Sequence, residues 1–175
     1  IYLHFKTIAE EVDIPVILYN VPGRTVVNIN PSTVARLAEI PNIIGIKEAS
    51  GNLEQATDIM RLCPDEFLLL SGDDFTCMPT ALIGGSGVIS VVSNVDPAGM
   101  STMMEAALNG GLEAANREHY RLSRLMKMMF KAPSPAPAKA ALQFMGLIKD
   151  SSSRSPITNA DQTIVDALKK EMTSL

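Results

Sequence analysis

The sequence has no long apolar run, no basic block and only two cysteines, and each scarcity excludes a class of protein. Its longest apolar stretches, such as Phe67 to Leu70 and Val88 to Val92, fall far short of the roughly 20 residues that a spanning helix needs. No membrane partner is expected. Lysine and arginine form no cluster interleaved with aromatics, and at a formal charge of −4 the chain offers nucleic acid no electrostatic footprint. Cys63 and Cys77 show no metal-ligand spacing and lie far from His4 and His119, so no metal site is expected and both thiols read as reduced. Reduced thiols fit a cytoplasmic protein.

What the sequence does have is enough apolar residues for a real core, in 175 residues that amount to one domain or a large part of one. Residues 1–13 read as the end of an amphipathic helix that starts as if cut, because Ile1 and not Met stands first. Val16 to Asn20 reads as a buried strand running into the turn Val21 to Thr25, and Pro31-Ser32-Thr33 opens a helix with Ser32 or a neighbour as cap. A second strand ends at Lys47-Glu48, a helix covers 52–62, and Phe67 to Gly72 is a third strand. A short helix, 78–83, and a fourth strand, Gly87 to Val92, follow. Tyr19 to Lys47 is 28 residues and Lys47 to Gly72 is 25, the spacing of βα units in a parallel sheet covered by helices. After Asp96-Pro97 the pattern is helical only, over 98–108, 112–130, 138–148 and 159–172, with a proline-rich linker at 132–137. The expected division is therefore 1–96 and 97–175. Methionines 100, 103, 104, 126, 128 and 129 crowd the first two of these helices and read as adaptable core.

Chemistry gathers at Ile43 to Asn52, where Lys47 sits in an apolar, β-branched run that ends in a turn. An ammonium taken out of water is costly, and the usual relief is a neutral, nucleophilic amine able to form a Schiff base with a ketone or aldehyde. The structural alternative is a strand-end lysine that snorkels to solvent. Side chains alternate across a strand, so Gly45 and Ala49 share the side of Lys47 while Ile44, Ile46 and Glu48 face the covering helices. Tyr19 ends its own strand similarly, and residues at the C-terminal ends of neighbouring parallel strands can meet. Its hydroxyl is a candidate proton shuttle for an imine-forming lysine, or else a core aromatic satisfied locally. Arg24 lies in a loop at the same end, suited to grip a carboxylate if it is not simply solvated. Gly72 ends the third strand in a way expected to expose backbone N–H groups to an anionic ligand, while Asp73 and Asp74 read as caps for the next helix.

The motifs Tyr19-Asn20-Val21-Pro22-Gly23-Arg24-Thr25 and Gly45-Ile46-Lys47-Glu48-Ala49-Ser50-Gly51 closely resemble the pyruvate-dependent class I aldolase superfamily, and within it the dihydrodipicolinate synthase family. Supporting likenesses are Leu70 to Asp74, Gly87 to Asn94, and Lys139 to Leu142 before Met145-Gly146-Leu147, so the resemblance extends over nearly the whole chain. It implies an α/β fold, the second half of a (β/α)8 TIM barrel (strands five to eight) followed by a C-terminal helical domain. It implies that Lys47 forms a covalent imine with pyruvate and that no separate cofactor is needed. Tyr19 would relay protons, Arg24 would bind the carboxylate of L-aspartate 4-semialdehyde, and backbone around Ile89 and Gly72 would help hold the pyruvate. The expected partners are pyruvate, L-aspartate 4-semialdehyde, further copies in a homotetramer, and the N-terminal half of the same barrel.

Some family features have no counterpart in these residues, among them a threonine pair that relays protons, a second tyrosine and the lysine-inhibition residues. Four strands of an eight-stranded ring leave two open edges, so the residues are expected to belong to a longer chain. Two other functions remain open on sequence. One is a sibling aldolase, such as N-acetylneuraminate lyase or a keto-sugar-acid aldolase; the other is an inactive half-barrel that binds a keto acid without turning it over.

Overall fold

A computed structural model describes residues 1–174. Four short apolar stretches form its strands, β1 (Val16–Asn20), β2 (Ile43–Glu48), β3 (Leu68–Ser71) and β4 (Gly87–Val88), all parallel and paired in the order β1-β2-β3-β4. Period-two alternation gives the sheet two unlike faces. One carries Leu18, Ile46 and Leu69, all fully buried, and is covered by helices; the other carries Ile17, Tyr19, Lys47 and Leu68 and is open or half-open. Helices α3 (Pro31–Leu37) and α4 (Leu53–Leu62) supply Val34, Leu37, Ala56 and Ile59 to the core on the covered face. Each fully buried Val, Leu or Ile side chain among them contributes about 1.5–3 kcal/mol. The unit is completed by α1 (Tyr2–Glu10), the single-turn α2 (Pro22–Thr25) and α5 (Cys77–Leu82).

The chain divides into two compact units, Ile1–Ile89 and Ser90–Leu175. The break precedes the expected 96/97 boundary because β4 is shorter than its apolar run. Expected to continue to Val92, it ends at Val88; Val91 turns helical, and a 3-10 turn at Val92–Asn94 is held by the Ser93 N–H donating to Ser90 Oγ at 2.8 Å. A serine hydroxyl offers the backbone an alternative to the strand ladder, and the 3-10 turn packs with α6 and α8 of the second unit.

That second unit is helical: α6 (Pro97–Leu108), α7 (Leu112–Met128), α8 (Ala136–Phe144) and α9 (Gln162–Thr173). Met100, Met103 and Met104 of α6, with Met126 and Met129 at the end of α7, are buried, so the methionines form packing between these two helices. Asp96 caps α6 by accepting from Gly99 N–H at 2.9 Å, and Arg121 of α7 donates to the same carboxylate at 2.8 Å. Helix α8 begins inside the proline-rich segment, earlier than expected, because a proline in the first turn forfeits no intrahelical bond. It also ends earlier, at Phe144, where Gly146 takes a left-handed conformation (φ 75°) and Leu147 N–H reaches back to Leu142 O at 2.9 Å. Helix α3 is capped by Asn30, through its backbone carbonyl, and not by Ser32.

The expectation of strands five to eight of a (β/α)8 barrel followed by a C-terminal helical domain is corrected by this topology. The structure holds an open sheet of four strands, counted from the first strand of the chain, with no closed ring among the described residues. That rank rests on the motif resemblance alone; successive βα units are locally alike, so strand spacing reports the repeat and carries no information on a strand's rank within a ring.

Candidate active site

Parallel register places the chemical groups. Tyr19 pairs with Lys47 across β1 and β2, Lys47 with Leu70 across β2 and β3, and Leu70 with Gly87 across β3 and β4. The ladder extends one step beyond each strand: Ala49 N–H donates to Asn20 O (2.9 Å), Gly72 N–H to Glu48 O (2.7 Å) and Ile89 N–H to Ser71 O (2.9 Å). These bonds stitch the C-terminal ends of all four strands together, which is where parallel α/β folds carry their chemistry.

Tyr19 and Lys47 come together on the open face, with the Lys47 Nζ 4.2 Å from the centre of the Tyr19 ring. A cation over an aromatic face gains about 0.5–1 kcal/mol at an exposed site, and Tyr19 is 45% exposed. Gly72 lines the lysine's stem: a Cβ there would stand 2.9 Å from Lys47 Cε and 2.6 Å from Ala49 Cβ, so only glycine lets β3 end beside an extended Lys47. Its N–H, expected to be available to an anion, is not, because the β2–β3 ladder uses it on Glu48 O; the Ile89 N–H is likewise used on Ser71 O. Ile89 itself is 45% exposed just past β4. An apolar hollow of about 360 Å³ adjoins Tyr19, lined by Phe5, Thr25, Val27 and Ile29. A larger one, about 780 Å³, lies at the opposite end of the strands around Pro15, Asn42 and Ile44, away from Lys47.

Arg24 sits on α2, exposed, and has no ion pair among the described residues. Among the described residues no hydrogen bond joins it to Lys47. The chain leaves α2 through Val26, whose φ of 59° is a strained conformation for a β-branched residue. Asp73 accepts from Thr76 N–H (2.9 Å) and Thr76 Oγ1 (2.8 Å), a turn that leads into α5 and needs no catalytic role. Neither cysteine offers a nucleophile. Burial, followed by the nearby Asp74 carboxylate, pushes the Cys77 thiol up to about 12, and burial pushes Cys63 up to about 11. Among the described residues no three His, Cys, Asp or Glu side chains are grouped to hold a metal ion, and no helix is long and apolar enough to cross a membrane.

Sequence reasoning placed Glu48 against the covering helices but gave neither it nor Asn20 a role behind the site. Asn20 and Glu48, each one place beyond Tyr19 and Lys47, point to the covered face and are 1% and 5% exposed. Glu48 Oε2 accepts from Asn20 Nδ2 (2.8 Å) and Gln55 Nε2 (2.9 Å), and its Oε1 accepts from Ser50 N–H (2.7 Å). The signal was present: two polar residues at matched strand positions on the face where alternation demands apolar ones.

Comparison with known proteins agrees with this arrangement of motifs. The profile of the Dihydrodipicolinate synthetase family matches residues 1–175. The chain is 59% identical, over its whole length and 59% of the relative's, to a 4-hydroxy-tetrahydrodipicolinate synthase of Desulfotalea psychrophila. It is 48% identical to one of Archaeoglobus fulgidus, over its whole length and 60% of the relative's. Among solved structures, dihydrodipicolinate synthase from Aquifex aeolicus superposes with a TM-score of 0.96 at 37% identity, covering 99% of this chain and 59% of that one. The chloride-inhibited dihydrodipicolinate synthase from Acinetobacter baumannii complexed with pyruvate gives 0.95 at 38% identity, covering 98% and 59%. The chain thus spans about three-fifths of the length of these relatives. With a profile that matches every residue and relatives at these identities, the chain belongs to the dihydrodipicolinate synthetase family.

Proposed function

We propose that Lys47 is the imine-forming nucleophile of a synthase that condenses pyruvate with L-aspartate 4-semialdehyde to 4-hydroxy-tetrahydrodipicolinate, on the route to diaminopimelate and lysine. The observation that carries this reading is the seat of the Lys47 amine 4.2 Å over the Tyr19 ring, at the C-terminal ends of adjacent parallel strands. The family membership and the pyruvate held by the Acinetobacter baumannii relative support it. A homotetrameric assembly and a cytoplasmic setting belong to the same proposal.

In this reading the Lys47 nitrogen adds to the C2 carbonyl of pyruvate. The carbonyl oxygen leaves as water and a C=N bond replaces C=O. The protonated imine acts as electron sink, so loss of a proton from the methyl carbon yields an enamine whose carbon attacks the aldehyde of the second substrate, the aldehyde oxygen taking up a proton. The semialdehyde's amino group then adds to the regenerated imine carbon and displaces the Lys47 amine, which closes the ring as a cyclic imine. No added cofactor enters that sequence. The Tyr19 hydroxyl carries protons to and from the reacting atoms, Gly72 leaves room for the loaded lysine, and Arg24 grips the carboxylate of the semialdehyde. Ile89 lines the pyruvate side.

The test is reductive trapping. Pyruvate with borohydride adds mass to Lys47, and Lys47→Ala removes the adduct; no adduct at any pH between about 7 and 9 overturns the imine reading. Arg24→Ala separates this function from a sugar-acid lyase. Loss of charge-assisted hydrogen bonds worth about 1.5–3 kcal/mol raises the semialdehyde KM roughly ten- to a hundredfold, whereas an unchanged KM rules the semialdehyde grip out.

A further inference from the structure

The covered face behind Tyr19 and Lys47 holds a connected set of polar side chains drawn from separate parts of the chain, with Asn28 at its exposed rim, where Asn28 Nδ2 also reaches Asn30 Oδ1 at 3.5 Å. Asn20 ends β1, Glu48 ends β2, Asn28 lies in the segment after α2, and Gln55 is in the first turn of α4. Besides the bonds to Glu48, Asn20 Nδ2 donates to Asn28 Oδ1 (2.8 Å), Asn28 Nδ2 donates to Gln55 Oε1 (2.7 Å) and Gln55 Nε2 donates back to Asn28 Oδ1 (3.2 Å). Ile29 N–H donates to Asn20 Oδ1 at 3.0 Å.

Two backbone N–H groups fix the polarity of the whole set, because a backbone donor cannot be flipped. Ile29 N–H requires an oxygen from Asn20, which turns the Asn20 amide nitrogen toward Glu48. Ser50 N–H requires an oxygen at the other side of Glu48. Glu48 must therefore accept at both oxygens, which a carboxylate does and an amide does not.

We propose that Glu48 is a positioning residue: by joining the ends of β1 and β2 through Asn20, Gln55 and Ser50 N–H, it holds Tyr19 over Lys47 on the opposite face. The inference rests on the reading of Lys47 as the imine-forming amine. The residues joined are the immediate neighbours of the reactive pair, and Asn20 pairs with Glu48 in the same register that pairs Tyr19 with Lys47. Through Asn28 and Ile29 the same set anchors the segment that follows Arg24.

The fixed polarity of these groups defines a rescue. Glu48→Gln alone sets an amide nitrogen against a donor wherever it turns. Asn20→Asp alone sets two carboxylates against each other across a 2.8 Å contact. Combined, the two substitutions move the carboxylate from β2 to β1. The new acid accepts from Ile29 N–H and from the new amide, whose oxygen accepts from Ser50 N–H. The reciprocal Asn28–Gln55 amide pair inverts as a unit and keeps both of its bonds, and the exposed Asn30 amide, 3.5 Å from Asn28 Nδ2, turns with it.

The experiment measures, on the purified protein, the rate of pyruvate-borohydride trapping at Lys47 per folded molecule, with half-saturating pyruvate determined alongside. Wild type, each single variant and the double variant are compared, with folding checked by circular dichroism. Each single variant is expected to lower the maximal trapping rate about 10- to 100-fold, the scale of a misplacement of reacting groups by up to an ångström, with little change in half-saturating pyruvate. The double variant should return to within a few-fold of wild type. A folded Glu48→Gln protein that traps at the wild-type rate overturns the proposal even if its unfolding temperature falls, since stability alone would then be at stake. If Glu48→Gln does not fold, the double variant decides: near-wild-type trapping supports the proposal, and a folded double variant that traps no faster than Asn20→Asp overturns it. Failure of the wild type itself to trap pyruvate is a separate result that ends the imine reading.

Discussion

At the ends of β1 and β2 the helix-covered face carries Asn20 and Glu48, 1% and 5% exposed, tied into a hydrogen-bond set whose polarity two backbone N–H groups determine. The open face, one residue earlier on each strand, carries Tyr19 and Lys47, which share a single ring contact at 4.2 Å. The two faces differ in what a change would cost. A donor left unsatisfied on the covered face costs about 1–3 kcal/mol, whereas the cation–π contact on the open face is worth about 0.5–1 kcal/mol. The covered face is therefore the costlier of the two to disturb.

The largest effect that tests this contrast is at Tyr19. Tyr19→Phe keeps the ring beneath the Lys47 amine and removes only the hydroxyl, so the unfolding temperature should stay near that of the wild type. Turnover is expected to fall roughly 10²- to 10⁴-fold, the usual worth of a general acid/base. A fully active Tyr19→Phe enzyme would reduce Tyr19 to a platform for the ammonium.

A comparable energy, read as stability instead of turnover, lies on the covered face. Leu18 is fully buried between Ile17 and Tyr19 in sequence but on the opposite side of the sheet from both. Leu18→Ala is expected to cost about 2–5 kcal/mol in chemical denaturation through lost burial and the cavity left behind. Ile17→Ala, at a side chain 41% exposed, should cost clearly less. Equal losses at the two positions would mean that the open face is as tightly packed as the covered one, and the contrast would fail.

Periodicity made much of this legible. Val16–Asn20 and Ile43–Glu48 are strands, and Gly45 and Lys47 lie opposite Ile46 and Glu48, because alternation is a local property that the order of residues carries directly. Three features were not local and did not show. The rank of the strands in a ring is absent from units that look alike. The loss of the Gly72 N–H to Glu48 O depends on pairing between residues far apart in the chain. The partners of Glu48 at positions 20, 50 and 55 come from β1, a turn and α4, so no spacing rule collects them. The early end of β4 had a local cause, the Ser90 hydroxyl, that an apolar run concealed.

The smallest expected effect concerns the support behind the covered face. Asn52 caps α4 from an extended backbone (φ −92°, ψ 103°), and its side-chain oxygen accepts the Gln55 N–H at 3.1 Å. The cap therefore holds the backbone of the residue whose side chain reaches Glu48. Asn52→Ala removes the acceptor and should lower stability by about 1 kcal/mol, while Asn52→Gly, at a cap position that tolerates glycine, should cost only a few tenths. The Gln55 side chain keeps its bonds to Glu48 and Asn28 in either variant, so pyruvate trapping at Lys47 should stay within about twofold of wild type. A larger drop in trapping for Asn52→Ala than for Asn52→Gly, at equal folded fraction, would mean that α4 sets the geometry of Tyr19 and Lys47 through its backbone as well, and that the fixed region extends a full turn deeper than the side-chain set around Glu48.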